Sequence, residues 1–231
     1  MNLLLDNNQQ AFFELLRAGL WEKEARLSQY INIDYPAIMK LAEEQAVVGL
    51  ITSGFERVSD VRIPQTELLQ FIGVALQIEQ QNKLLNGFVA ELIDLLRKQD
   101  IYTLLVKGQG IAQSYERPLW RSSGDIDLLL SNDSYDKAKH LLVPLAAEVE
   151  PEDKAYRHIG MSFKGGNVVE LHGTMHGGWA KKVDRVIDSV QRDVFYGGKV
   201  RSWMNGHTQV FLPGADEDVF FVFTKTILIG T

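Results

Sequence analysis

The chain changes its hydrophobic period once, near Ile101, and that change divides what it can fold into. From Gln9 to about Gln99 the apolar residues recur at helical spacing and no stretch alternates strictly, so this half is expected to be nearly all helix. Phe12, Phe13, Leu15 and Leu16 mark a first helix. Asp34 followed by Pro36 predicts the start of a second, with Asp34 as cap and Pro36 in the first turn, where its missing N–H costs nothing. Leu41, Val47, Val48 and Leu50 are expected on its buried side. Pro64 opens an apolar-periodic run to Lys98 that is long for one globular helix, with Gly73 or Gly87 as candidate breaks. The polar stretch from Gln80 to Lys83 reads as a solvated face of that run.

Beyond Ile101 short apolar strands alternate with helices, the order of an α+β domain with a mixed sheet flanked by helices. Residues 101–106 and 125–130 read as strands, with a short helix over 110–115 between them. Ser131 or Asn132 can cap a helix over 135–145. Residues 156–163 and 168–172 predict a hairpin through Lys164, Gly165, Gly166 and Asn167, since paired glycines supply the positive φ of a tight turn. A helix over 179–194, strands over 200–203 and 210–212, and an apolar helix from near Ala215 to the terminus complete the pattern. That last helix stops without a polar end. It suits either packing across the sheet or a chain that is the front portion of a longer protein. The expected organisation is a helical region over residues 1–100 and a mixed core over 101–231.

Composition excludes several classes of function. With 24 basic and 30 acidic side chains the net charge is -6, which argues against a surface devoted to nucleic acid phosphates but leaves room for a local basic pocket. There is no cysteine, so disulfide frameworks, zinc–thiolate sites and thiol nucleophiles are ruled out, and a reducing cytoplasm fits. The apolar start meets Asp6 too soon for a signal peptide, and no segment offers about 18 uninterrupted apolar residues. A soluble, cytoplasmic chain with no membrane partner is the expectation.

The sharpest chemical signal is Gly124-Asp125-Ile126-Asp127, followed by three leucines. Strand alternation projects Asp125 and Asp127 from one face roughly 7 Å apart, close enough to share divalent cations. Without a counter-charge they would repel one another, so Mg²⁺ or Mn²⁺ is the natural partner; the bland alternative is a pair at the solvated mouth of a strand. The preceding segment runs from a strand through Lys107, Gly108 and Gly110 into a helix, a way of presenting backbone N–H groups and a lysine to phosphate. It is not a Walker A loop, because the lysine precedes both glycines, and an ordinary tight turn would use the same residues. Arg121 either contacts phosphates or pairs with the aspartates. In the hairpin, Val169 and Leu171 face one side, so Glu170 faces the other with Val168 and His172. An acidic residue in so apolar a strand needs a partner unless the strand lies at an edge, which makes Glu170 the candidate third carboxylate. His172 reads as a residue supporting the ligands, and His176 as one with no role, since Gly173 keeps a helix from holding both histidines on one face.

Taken together, Lys107-Gly108, Tyr115, Arg121, Gly124-Asp125-Ile126-Asp127 and Glu170-Leu171-His172 resemble the uncharacterised nucleotidyltransferase family of the DNA polymerase β-like superfamily. The resemblance is strong from Leu104 to His172 and looser on either side. It implies a mixed sheet flanked by helices, with Asp125 and Asp127 holding two Mg²⁺ ions and Glu170 activating the attacking hydroxyl. The implied reaction moves a nucleoside monophosphate from an NTP such as ATP to a small-molecule or protein acceptor, releasing pyrophosphate. The wider superfamily has a serine in the turn where this chain has Gly108-Gln109-Gly110. Two other readings stay open on the same residues: a regulatory module that binds nucleotide or metal without turnover, and a metal-dependent phosphohydrolase using Asp125, Asp127, Glu170 and His172.

Overall fold

The computed structural model describes residues 6–176 and 181–229. By contacts the chain forms two compact units, one of Met1–Leu84 with Tyr115–Ser122, the other of Leu85–Ser114 with Ser123–Thr231.

The first unit holds α1 (Asn7–Trp21), α2 (Tyr35–Glu44), α3 (Val48–Phe55) and the first part of α4 (Gln65–Arg97). Asp6 caps α1 reciprocally with Gln9, and Asp34 caps α2 by accepting from the Ala37 N–H, with Pro36 in the first turn as expected. The second helix is shorter than the apolar pattern suggested. Ala46 takes a left-handed conformation (φ 55°), and Val47 N–H returns to the Ala42 carbonyl while Ala46 N–H returns to that of Glu43. These two bonds close a Schellman motif and end the helix. Val48 therefore belongs to α3, and α2 buries Ile38 and Ala42 while Leu41, Val47 and Leu50 stay partly exposed.

Neither Gly73 nor Gly87 breaks α4, which runs as one helix of 33 residues. Both glycines face open space. A glycine costs about 1 kcal/mol relative to alanine in a helix, too little to interrupt one anchored by packing along its length. Phe71 sits in the core of the first unit, while Leu85, Val89, Leu92, Ile93 and Leu96 sit in that of the second. The polar stretch is solvated at Gln80, Gln81 and Lys83, but Asn82 is buried and donates to the carbonyls of Leu119 and Arg121, both at 2.7 Å.

The second unit is built on a seven-stranded mixed sheet. Its strands are β1 (Thr103–Val106), β2 (Asp125–Leu130), β3 (Glu148–Val149), β4 (His158–Ser162), β5 (Val168–His172), β6 (Val200–Asn205) and β7 (Thr208–Pro213), in the order β3-β4-β5-β2-β1-β7-β6. Pairing is antiparallel except between β2 and β5 and between β1 and β7. The β4–β5 hairpin turns through Gly165 (φ 94°) and Gly166 (φ 84°).

Alternation sorts the side chains cleanly. Leu105, Ile126, Leu128, Val169 and Leu171 point to one face, where they pack with the second part of α4 and with α6 (Asn132–Leu142). α6 gives way to a 3-10 turn at Val143, ahead of Pro144, which cannot donate within a helix. On the opposite face Leu104, Val106 and Leu129 pack with α7 (Lys181–Tyr196) and α8 (Ala215–Ile229) through Ile187, Val194 and Phe221. The short helix after β1, α5, spans Gly108–Ala112, two residues earlier than its expected start. Trp179, the expected first residue of the helix that is α7, lies outside the described residues. Among the described residues no helix is long and apolar enough to cross a membrane.

Candidate active site

The site is a consequence of strand register. β2 and β5 run parallel with Asp127 opposite Glu170 and Asp125 opposite Val168, and β4 places His158 opposite His172 across the hairpin. Because Ile126, Leu128, Val169 and Leu171 take the core-facing side, the polar residues between them emerge together on the other. One oxygen each from Asp125, Asp127 and Glu170 lies within 4.8 Å of the others. Asp125 is exposed at the mouth of β2, Asp127 is 1% exposed, and Glu170 is partly buried. β5 is an interior strand, so Glu170 does not project from a sheet edge.

Three carboxylates this close need compensation, and the structure supplies some of it. Lys107 forms an ion pair with Oδ1 of Asp127. His172, itself 2% exposed, directs Nε2 at the same oxygen at 2.8 Å and lies 3.3 Å from Oε2 of Glu170. His158 Nε2 reaches that Oε2 at 3.2 Å. The two imidazole rings stack at 4.7 Å with 31° between their planes. The hydrogen bond from His158, reinforced by that from His172, holds the Glu170 carboxyl far below the usual carboxylate range, against the opposing effect of its burial.

These donors crowd onto one oxygen of each buried carboxylate. Among the described residues no hydrogen bond reaches Oδ2 of Asp127 or Oε1 of Glu170. Three oxygen donors, two of them oriented by the protein and one facing solvent, match what a hard divalent cation requires. Lys107 offsets one of the three negative charges, so the donor set fits a divalent metal in charge as well as in chemistry.

Lys107 occupies backbone space that side chains rarely adopt, with φ 57° and ψ -145°. Such strain persists when the surroundings impose it, and it clusters at functional sites. Here it turns the lysine from the end of β1 toward Asp127. The glycines that follow sit close against backbone carbonyls. Gly108 has φ 27°, and a Cβ there would meet the Asp125 carbonyl at 3.3 Å; a Cβ on Gly110 would meet the Leu105 carbonyl at 3.0 Å. Gly108→Ala is accordingly expected to cost about 1–2 kcal/mol, the penalty for an L-residue in left-handed space. Thermal unfolding of the variant should show a drop of several degrees; an unchanged midpoint would mean that the turn relaxes freely.

The remaining sequence candidates have other partners. Arg121 belongs to the helical unit, where it donates to the Ser122 carbonyl at 3.2 Å and lines a cavity of about 190 Å³ with Tyr115 and Trp120. His176 approaches Asp188 at 3.5 Å and packs edge-on against Tyr156. It takes no part in the carboxylate cluster. His158 was not singled out in the sequence, although alternation pointed to it: Ile159 and Met161 claim the apolar face of β4, which leaves His158 on the other.

A family model described as "Uncharacterised nucleotidyltransferase" matches residues 32–203. No curated protein and no solved structure matches the chain. The matched span takes in most of the chain and every residue of the carboxylate cluster, together with Lys107, His158 and His172. The chain belongs to the uncharacterised nucleotidyltransferase family.

Proposed function

We propose that the protein transfers a nucleoside monophosphate from an NTP to a hydroxyl of a small-molecule or protein acceptor, with Mg²⁺ or Mn²⁺ held by Asp125, Asp127 and Glu170. The observation that carries this reading is the convergence of those three carboxylates on neighbouring parallel strands, within the span that matches the family. The acceptor oxygen bonds to the α-phosphorus as the bond from that phosphorus to the bridging oxygen breaks, and the electron pair leaves with pyrophosphate. When bound, the cation neutralises the phosphate oxygens and aligns the attacking and leaving groups.

The chain's own residues have distinct tasks in this reaction. Asp127, buried and fixed through Oδ1 by Lys107 and His172, offers Oδ2 as a preorganised ligand. Asp125 closes the ligand set from the solvent side. Glu170, kept ionised by its two histidines, offers Oε1 as a ligand and accepts the proton of a hydroxyl brought beside it. Lys107 and the turn through Gly108 and Gly110 lie next to Asp125 and Asp127, which suits contact with the triphosphate once the lysine exchanges partners. Arg121 stays a candidate phosphate contact from its sequence position alone.

Incubation with α-labelled NTPs, Mn²⁺ and fractionated small-molecule and protein extracts tests the proposal. Label in an acceptor with matching pyrophosphate release is the expected result. Nucleotide binding without turnover would assign the protein to the regulatory reading, and phosphate release without labelled acceptor to the phosphohydrolase reading.

A further inference from the structure

Beside the all-oxygen cluster lies a second set of donors, two of them nitrogens that the nucleotidyl-transfer reading does not use as metal ligands. His158, Glu170 and His172 each offer one ligand atom, and these atoms all lie within 4.8 Å of one another. Both imidazoles do so through Nε2, and both address the same Glu170 oxygen, at 3.2 and 3.3 Å. In a tetrahedral centre with metal–ligand bonds of 2.0–2.1 Å, neighbouring ligand atoms stand about 3.3 Å apart. The two nitrogen-to-oxygen separations already equal that edge. The backbone supports the arrangement too, since His158 and His172 are directly paired across β4 and β5, and Glu170 stands two residues before His172 on the same face.

We infer that His158, Glu170 and His172 form a second cation site that takes a nitrogen-accepting divalent ion of the Zn²⁺ and Co²⁺ type. Glu170 then bridges two positions, giving Oε1 to the oxygen-only site with Asp125 and Asp127 and Oε2 to the mixed one. The inference rests on the proposed function only in sharing Glu170.

Ligand chemistry separates the two ions. Mg²⁺ demands oxygen donors and keeps several waters, so it has little use for imidazole. Imidazole nitrogen suits Zn²⁺ and its neighbours in the first transition row. Charge does not call for the second ion, since the three carboxylates, the ammonium of Lys107 and one divalent cation already balance; the nitrogen donors are what select it. His158 is 33% exposed in its side chain, which gives the ion an entry from solvent, while the buried His172 anchors the inner side.

Co²⁺ is the probe, because its visible d–d absorption reports coordination number and donor type without any need for turnover. The metal-free full chain is titrated with Co²⁺ in saturating Mg²⁺. The expected result is a saturable visible band characteristic of four- or five-coordinate cobalt that Mg²⁺ does not displace. His158→Gln should weaken Co²⁺ binding by more than the roughly 10–100-fold typical of losing a residue that merely orients a ligand. His172→Gln should do the same, and because His172 is buried its melting temperature is recorded alongside; His158→Gln carries the test if that variant fails to fold. Absence of the band, or a band of wild-type intensity and affinity in His158→Gln, would overturn the inference and return the histidines to holding Glu170 by hydrogen bonds. Asp125→Asn separates this inference from the proposed function, because Asp125 belongs to the oxygen-only site alone. Loss of Mn²⁺-dependent NTP binding with the cobalt band intact supports both. A cobalt band with NTP binding unaffected by Asp125→Asn would sink the transferase reading and leave the second site standing.

Discussion

Asp127→Asn should lower nucleotidyl transfer by about a thousandfold while leaving a folded protein. A metal that polarises phosphate oxygens supplies several kcal/mol of transition-state stabilisation, and each 1.36 kcal/mol is about a factor of ten in rate. The amide preserves the shape of the side chain and an acceptor for Lys107 and His172. Its NH₂ group then stands where Oδ2 offers its lone pairs, so a donor faces the cation. The stability effect is set by what each partner can do next. Lys107 is 23% exposed and can turn to water, whereas His172 is 2% exposed and cannot. Removing one member of a fully buried pair costs about 3–5 kcal/mol, and solvent access for Lys107 together with relief of repulsion from Asp125 and Glu170 brings the expected loss to the order of 1–2 kcal/mol. Calorimetric titration with Mn²⁺ and a thermal melt separate the two effects. The Asp125→Asn, Asp127→Asn double variant should show no high-affinity Mn²⁺ binding in the presence of nucleotide. Wild-type affinity in the double variant would remove both aspartates from the metal site.

How much of this was legible in the sequence depended on whether local chemistry or a distant partner decided each feature. The Asp34 cap, the Gly165-Gly166 hairpin and the paired faces of β2 and β5 follow from neighbours within a few residues, and each stands where the pattern put it. The end of α2 was hidden because Ala46, not glycine or asparagine, takes the left-handed position, so no residue type announced it. The continuity of α4 was hidden for the opposite reason. Its glycines looked like breaks, yet the helix is held by two separate cores that the sequence could not assign. Within the site, the two aspartates and Glu170 were readable from alternation alone. Their nearness across β2 and β5 required the parallel pairing of strands about forty residues apart, which no local signal encodes. The ion pair of Lys107 with Asp127 belongs to the same class: the lysine was expected at phosphate because its backbone turn was visible and its partner was not. His158 was available to the same alternation argument as Glu170, and its meaning appears only with the register that sets it opposite His172.

Glu170→Gln is expected to lower transfer by about 10²–10⁴-fold, the range for loss of a positioned proton acceptor, while NTP affinity changes by a few fold at most. The reasoning begins with the histidines. Their Nε2 atoms both face Oε2, so the Gln carbonyl takes that position and its NH₂ lies toward the Asp125 and Asp127 side, where Oε1 stood. The fold is kept, and a negative ligand is replaced by a donor. The triphosphate retains Asp125, Asp127 and the Lys107 turn, so binding survives and the chemical step does not, a loss in kcat without a matching rise in KM. The direction of the Glu170 pKa adds a second expectation. A carboxylate drawn below its ordinary value of 4.5 stays ionised as the pH falls past that value, so the wild-type rate should show no loss from this group through mildly acidic conditions. Separating His158 from Glu170 by His158→Gln removes the first cause of that shift, and Glu170 should then titrate closer to the ordinary range. The pH profile of transfer in His158→Gln would accordingly gain an acid limb that the wild type lacks. A Glu170→Gln variant that transfers nucleotide at the wild-type rate, measured with the acceptor identified by labelling, would remove Glu170 from the chemistry and leave it as a buried partner for two histidines.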